Sequence, residues 1–168
     1  MLGVHPYGGA PFLLHGVSMI IRPIEHHKKR FLPLLLEADE QENMIERYLD
    51  RGELFVAFDE KGEAVAAAVV TKEDDGLYEL KNIAVVPELR RQGLGRNMLD
   101  FLMNRYRGNG MMQVGTGESE ATLGFYHACG FTFSHVEKDF FTKNYDHPIV
   151  EDGRVLTDMI YLKRNLNA

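Results

Sequence analysis

The stretch Ile83-Ala84-Val85-Val86-Pro87-Glu88-Leu89-Arg90-Arg91-Gln92-Gly93-Leu94-Gly95-Arg96 carries most of what can be read about the fold. It opens as an apolar strand, stops at Pro87, turns through a basic segment with two glycines, and then changes period. Leu94, Met98, Phe101, Leu102 and Tyr106 recur at helical spacing, so a helix is predicted over residues 93–106. The first N–H groups of such a helix have no carbonyl partner inside it. Aligned peptide dipoles add partial positive charge at the same end, which makes the turn a ready anion site. Gly93 and Gly95 let the backbone approach a phosphate closely. Arg90, Arg91 and Arg96 could form a merely solvated helix start, yet cations there oppose the dipole unless an anion is present.

Upstream, residues 54–59, 64–72 and 77–86 read as strands of an antiparallel meander. Their turns are Glu60-Lys61-Gly62-Glu63 and Glu73-Asp74-Asp75-Gly76. Residues 18–22 read as a short strand. Residues 26–50 place Phe31, Leu34, Leu35, Ile45 and Leu49 at helical spacing, with a break near Ala38 and Asp39. Downstream come a strand over residues 111–116 and a helix over 118–129, which Gly130 closes as its C′ residue. Strands follow over 131–136 and 154–162. Between them residues 139–153 read as a long loop with Phe140, Phe141 and Tyr145, expected to act as a lid, an acceptor wall or a dimer contact. The alternation predicts a mixed α/β (α+β) domain with helices on both faces of its sheet.

A chain of 168 residues suits one domain. At that length a core can form without a disulfide or metal staple. Hydrophobic residues at 45% and charged residues at 26% exclude disordered, collagenous and rod-like coiled-coil classes. Nineteen Lys and Arg against 25 Asp and Glu leave a net charge of −6, so neither nucleic acid nor an anionic membrane surface is expected as partner. The lone Cys129 cannot form an internal disulfide, which points to a reducing, cytoplasmic location. It reads as a small buried hydrophobe. The longest apolar run, residues 64–70, is far short of the roughly 20 residues of a membrane helix. None of the 7 histidines shows tight ligand spacing, and no metal is expected. Residues 1–17 contain His5, Pro6, Gly8, Gly9, Pro11 and His15 and lack a basic start, so they read as a flexible extension rather than a secretory signal.

Which anion the turn takes is narrowed by the motifs that fail. A dinucleotide fingerprint needs glycine three residues after Gly95, where Met98 stands. A Walker loop needs Gly-Lys followed by Ser or Thr, and the chain has no such triplet. What fits is Arg-x-x-Gly-x-Gly at Arg90, Gly93 and Gly95, after a strand ending in Val-Pro. A second run, Leu123-Gly124-Phe125-Tyr126-His127-Ala128-Cys129-Gly130-Phe131, lies downstream on the next predicted helix. In these two segments and in the order of elements over residues 20–162, the chain resembles the GCN5-related N-acetyltransferase (GNAT) family.

The resemblance implies an acyl-CoA N-acyltransferase fold, with a mostly antiparallel sheet splayed near Val85, and one acetyltransferase domain over residues 18–168. It implies acetyl-CoA as co-substrate and a small-molecule or protein amine as acceptor. Backbone groups of Ile83, Ala84 and Val85 would hold the pantetheine arm and polarise the thioester carbonyl. Arg90, Arg91, Gln92, Gly93, Leu94 and Gly95, with Arg96, would hold the pyrophosphate. Tyr126 would protonate the departing thiolate and Glu79 would deprotonate the amine, often through water. A core aromatic and a cross-strand ion pair are the plain alternatives for these two residues; Glu118 and Glu120 are further candidates for the base. An amine at neutral pH is mostly protonated and needs such a base. The chain departs from the family in having Glu118 and Ser119 where many members carry asparagine, which leaves that contact to the CoA arm either absent or supplied by Ser119. Many relatives pair, so a homodimer is possible. A non-catalytic acyl-CoA sensor, or a transferase for a longer acyl-CoA, is the competing reading. The acidic Glu73-Asp74-Asp75 turn leans toward a cationic acceptor.

Overall fold

The computed structural model describes residues 9–167. The elements begin with β1 (Ala10–Leu14), β2 (Val17–Ile24), α1 (Leu32–Leu35), α2 (Glu42–Leu49), β3 (Glu53–Phe58), β4 (Ala64–Asp74) and β5 (Leu77–Val85). Then come α3 (Leu94–Arg105), β6 (Met111–Thr116), α4 (Glu120–Ala128), β7 (Thr132–Glu137), α5 (Phe140–Asn144), β8 (Val150–Glu151), β9 (Arg154–Val155) and β10 (Met159–Asn165). The architecture is mixed α/β, with a mostly antiparallel sheet flanked by helices. The described residues fall into two compact units. The first lies within Met1–Thr71 and Lys81–Tyr106, the second within Lys72–Leu80 and Arg107–Ala168.

In the first unit β2, β3 and β4 pair antiparallel in chain order. Leu54 and Val56 of β3, with Ala67 and Val69 of β4 and Ala84 of β5, pack into one core with Phe31, Leu34, Leu35, Ile45, Tyr48 and Leu49. The intervening Phe55 serves α3 instead, its ring lying 5.3 Å from Phe101 and 6.4 Å from Tyr106 edge-on. Strands covered on both sides need no polar alternation, which is why residues 54–57 and 65–70 are unbroken apolar runs. Asn82 fastens β5 to this layer through Nδ2, which donates to the Leu35 carbonyl at 3.0 Å and to the Tyr48 hydroxyl at 3.1 Å. The helix expected over 26–50 is broken into a 3-10 turn (Lys28–Phe31), α1 and α2. Pro33 stands in the first turn of α1, where its missing N–H has no helical partner to lose.

The flexible extension expected over 1–17 differs from what is seen. Residues 1–8 lie outside the described residues, while Ala10–Leu14 form β1, paired antiparallel with β2 from Ala10↔Ile21 to Leu14↔Val17. Pro11 is compatible with this because β1 pairs on one side only, as an edge strand.

In the second unit the first part of β5 pairs parallel with β6, from Leu77↔Met111 to Leu80↔Val114. β6 pairs antiparallel with β10, and β10 with β7, with a register shift at Tyr161/Leu162. Gly130 ends α4 at φ +87°: the Phe131 N–H reaches the Tyr126 carbonyl at 3.0 Å and the Gly130 N–H the His127 carbonyl at 3.0 Å, a Schellman closure. The segment read as a loop over 139–153 contains α5 and β8. Phe141, Ile149 and Leu156 bury one another with Phe140, Tyr145 and Met159 around them, so these aromatics form a satellite core. The strand read over 154–162 is likewise two, β9 and β10, because the chain leaves the ladder after Val155. No helix among the described residues is long and apolar enough to cross a membrane.

Gly110 is required by close approach as well as by conformation. Its φ is +97°, a Cβ there would collide with the Gly76 carbonyl, and the Met111 N–H donates to that same carbonyl at 2.9 Å. Gly110→Ala is expected to destabilise by about 2 kcal/mol or more in urea unfolding. Gly62→Ala, with a φ of +79° but open space around it, should cost about half as much.

Candidate active site

The basic turn takes the form that its sequence suggests, with one redirection. Val85 ends β5, a 3-10 turn spans Pro87–Leu89, and α3 starts after Gly93. Arg91 has φ +60° and Gly93 φ +91°. A Cβ at Gly93 would meet none of the described residues within 4 Å, which leaves this face of the turn open among them. Among the described residues no side chain caps α3, and its first turn holds no acidic residue, which leaves its leading N–H groups to another acceptor.

The arginines divide. Arg90 turns back: Nε donates to the Val85 carbonyl at 3.1 Å and Nη2 pairs with Glu37 Oε2 at 2.8 Å. It therefore holds the turn against the α1–α2 connection. Arg91 and Arg96 are exposed, and among the described residues neither guanidinium is paired with a carboxylate. Two unneutralised cations beside the positive end of a helix raise the local potential, and an anion relieves it. Gln92 and Gly93 are exposed, whereas Leu94 is 1% exposed and Ala84 2%, so these last two can offer a ligand only their backbone. Ile83 and Val85 are half-buried.

The second unit holds the residues expected to move protons. Glu79 is 5% exposed on β5, opposite Gln113 of β6. Its charge is felt by Tyr161 of β10, two strands along the sheet, a residue that the sequence does not single out because β10 carries no motif. Its ring stacks on His135 with centroids 4.6 Å apart and planes 6° from parallel, and its hydroxyl donates to Glu137 Oε2 at 3.4 Å. Burial pushes the Tyr161 phenol well above its ordinary value, and the negative charges of Glu79 and Glu137 push it further.

Tyr126 is buried in α4 with its ring 5.1 Å from Phe125 and 5.6 Å from Phe131. Burial again raises its phenol well above the ordinary range, so the hydroxyl keeps its proton. His127 points elsewhere, its Nδ1 donating to the Phe131 carbonyl at 3.1 Å. Cys129 is buried and, as the lone cysteine of the chain, forms no internal disulfide. Ser119 is engaged within the fold. Its Oγ caps α4 by accepting from the Thr122 N–H at 3.4 Å and donates to Asp152 Oδ2 at 2.8 Å. Among the described residues no group of His, Cys, Asp and Glu is arranged to hold a metal ion.

Residues 50–133 match the family model described as an acetyltransferase (GNAT) domain. The chain is also 34% identical over 137 residues to the uncharacterized N-acetyltransferase YvbK of Bacillus subtilis, covering 79% of this chain and 87% of that protein. The chain belongs to the GNAT acetyltransferase family. GNAT acetyltransferases draw the acetyl group from acetyl-CoA, and this chain is an acetyl-CoA-dependent acetyltransferase. A GNAT family acetyltransferase from Elizabethkingia anophelis, solved with acetyl-CoA bound, superposes with a TM-score of 0.82 at 33% identity, over 88% of this chain and 97% of that one. A Bacillus subtilis acetyltransferase in complex with CoA gives 0.78 at 32% identity, over 86% and 97%.

The two raised phenols have a consequence in alkali. An unfolded tyrosine ionises near pH 10, and these two hold their protons beyond that in the folded state. The folded chain then binds more protons than the unfolded one, so stability present below about pH 10 falls as pH rises past it. Denaturant unfolding between pH 8 and about 11.5 should show this decline, and Tyr126→Phe should flatten it.

Proposed function

We propose that this acetyltransferase transfers its acetyl group to a primary amine of a small cationic molecule or a protein, by direct attack while both substrates are bound. The observation that carries the donor half is the open, uncapped start of α3, flanked by Arg91 and Arg96, which lack carboxylate partners among the described residues. A pyrophosphate fits that arrangement: N–H groups converge on it, and two guanidinium groups neutralise it. Bound acetyl-CoA supplies an activated acetyl thioester. In this reading the backbone of Ile83, Ala84 and Val85 holds the pantetheine arm, and the Val85 main chain polarises the thioester carbonyl.

In this reading the proton traffic falls to Glu79 and Tyr126. An ammonium group has no lone pair, so Glu79 takes its proton before the nitrogen attacks. Tyr126, whose phenol is protonated at neutral pH, gives a proton to the departing thiolate. No enzyme nucleophile is needed, in keeping with the burial of Cys129. The charges of Glu73, Glu79 and Glu137 all act on Tyr161, a concentration of negative potential that favours a cationic acceptor.

Calorimetric titration with acetyl-CoA should give binding that Arg91→Glu, Arg96→Glu abolishes. A panel of amines is then screened for CoA release. With an acceptor in hand, Glu79→Gln should lower kcat about a hundredfold near pH 7, and less as pH approaches the amine pKa of about 10.4. Tyr126→Phe should lower it about tenfold or more. Wild-type turnover in both variants would overturn the proposed roles.

A further inference from the structure

The tip of the β1–β2 hairpin reaches the donor turn. His15 Nε2 lies 3.0 Å from the Gln92 carbonyl oxygen, a contact across 77 residues of sequence. A carbonyl only accepts, so Nε2 carries the proton and donates. The contact bears on function because of which carbonyl is held. Gln92 C=O and Gly93 N–H belong to one trans peptide unit and point in opposite directions. Fixing the oxygen on His15 aims the Gly93 N–H to the other side of that plane. Gly93 is the N-cap residue of α3, so its N–H belongs to the uncapped set that opens the helix.

The residue type supports more than a turn. His15 (φ +49°) and Gly16 (φ +81°) are the two central residues of a tight hairpin in which both φ values are positive. Asn or Gly suits the first position best on backbone grounds alone. Histidine is tolerated there, and it brings a donor nitrogen far enough out to meet Gln92. The hairpin is itself held in place: Leu14 and Met19 are buried, and the Ser18 N–H donates to Glu60 Oε1 at 3.1 Å. The neighbouring backbone has little intrinsic preference for its conformation, since Arg91 stands at a positive φ that an L-residue adopts at a cost.

We propose that His15 is a positioning residue for the donor site: through the Gln92 carbonyl it sets the Gly93 peptide in the orientation that binds the pyrophosphate of acetyl-CoA. This rests on the turn at residues 90–96 being the pyrophosphate site. It assigns a role in acetyl-CoA binding to a residue that lies before the segment 50–133 matched by the family model.

The test is calorimetric titration of acetyl-CoA into the full chain and into His15→Ala, His15→Asn, His15→Gln and the Arg91→Glu, Arg96→Glu variant, with thermal midpoints recorded for each. Glutamine places its amide nitrogen near the position of Nε2, while asparagine suits the turn but reaches only as far as Nδ1. The loss of one hydrogen bond predicts a Kd raised about three- to tenfold in His15→Ala and His15→Asn, and within about twofold of wild type in His15→Gln. The reverse order, with asparagine normal and glutamine as weak as alanine, would show that only the turn conformation matters and would overturn the inference. Unchanged binding in His15→Ala beside loss in the charge-reversed variant would overturn it while leaving the donor site standing. Unchanged binding in both would remove the donor site and the inference together.

Discussion

The leading amide groups of α3 are the constraint around which the first unit is organised. They point out of the helix with no acceptor in it, no side chain caps them, and two arginines beside them have no carboxylate partner among the described residues. Such an end is poorly stabilised alone and well suited to a doubly charged pyrophosphate. What surrounds it holds it open. Arg90 is drawn back onto the Val85 carbonyl and Glu37, which keeps its own side chain out of the turn. Pro87 ends the strand so that the chain can reverse into α3.

Behind the turn, rigidity comes from burial on both sides of the strands. Leu54, Val56, Ala67 and Val69 face the α1–α2 layer, while Phe55 faces Phe101 and Tyr106. Small residues at Ala66, Ala67 and Ala68, all fully buried, let the covering layers come close. Asn82 adds a polar bond to the Leu35 carbonyl within that apolar layer, which fixes the height of β5 just before the segment that feeds the turn. The second unit reaches a comparable order by different means. A Schellman closure sets the end of α4 beside the Tyr126 and Phe131 rings, and a hydroxyl cap from Ser119 sets its start.

Much of this is legible in the chain. The glycine–arginine turn, the strand before it, the amphipathic helix after it and Gly130 as a helix stop all follow from residues close together in sequence. The elements that sequence reasoning misses share a reason. β1 reads as flexible because Pro11 and a His-Gly turn obscure the alternation of a five-residue strand, whose ladder is supplied by β2. The aromatics at 140–145 suggest a lid, an acceptor wall or a dimer contact because apolar side chains in a polar segment look exposed, whereas Phe141 packs with Ile149 and Leu156.

Periodicity, proline stops and glycine turns act over a few residues, and they determined the strand–turn–helix over residues 83–106, while the family resemblance lay in the short motifs at Arg90-x-x-Gly93-x-Gly95 and residues 123–131. Which arginines stay available, how the Gly93 peptide is turned and what surrounds Glu79 were decided only by tertiary structure. Arg90 finds Glu37 across 53 residues, His15 finds Gln92 across 77, and Tyr161 reaches Glu137 across 24 through strand register. A side chain's partner depends on which elements pack together, and no local pattern in the chain carries that information.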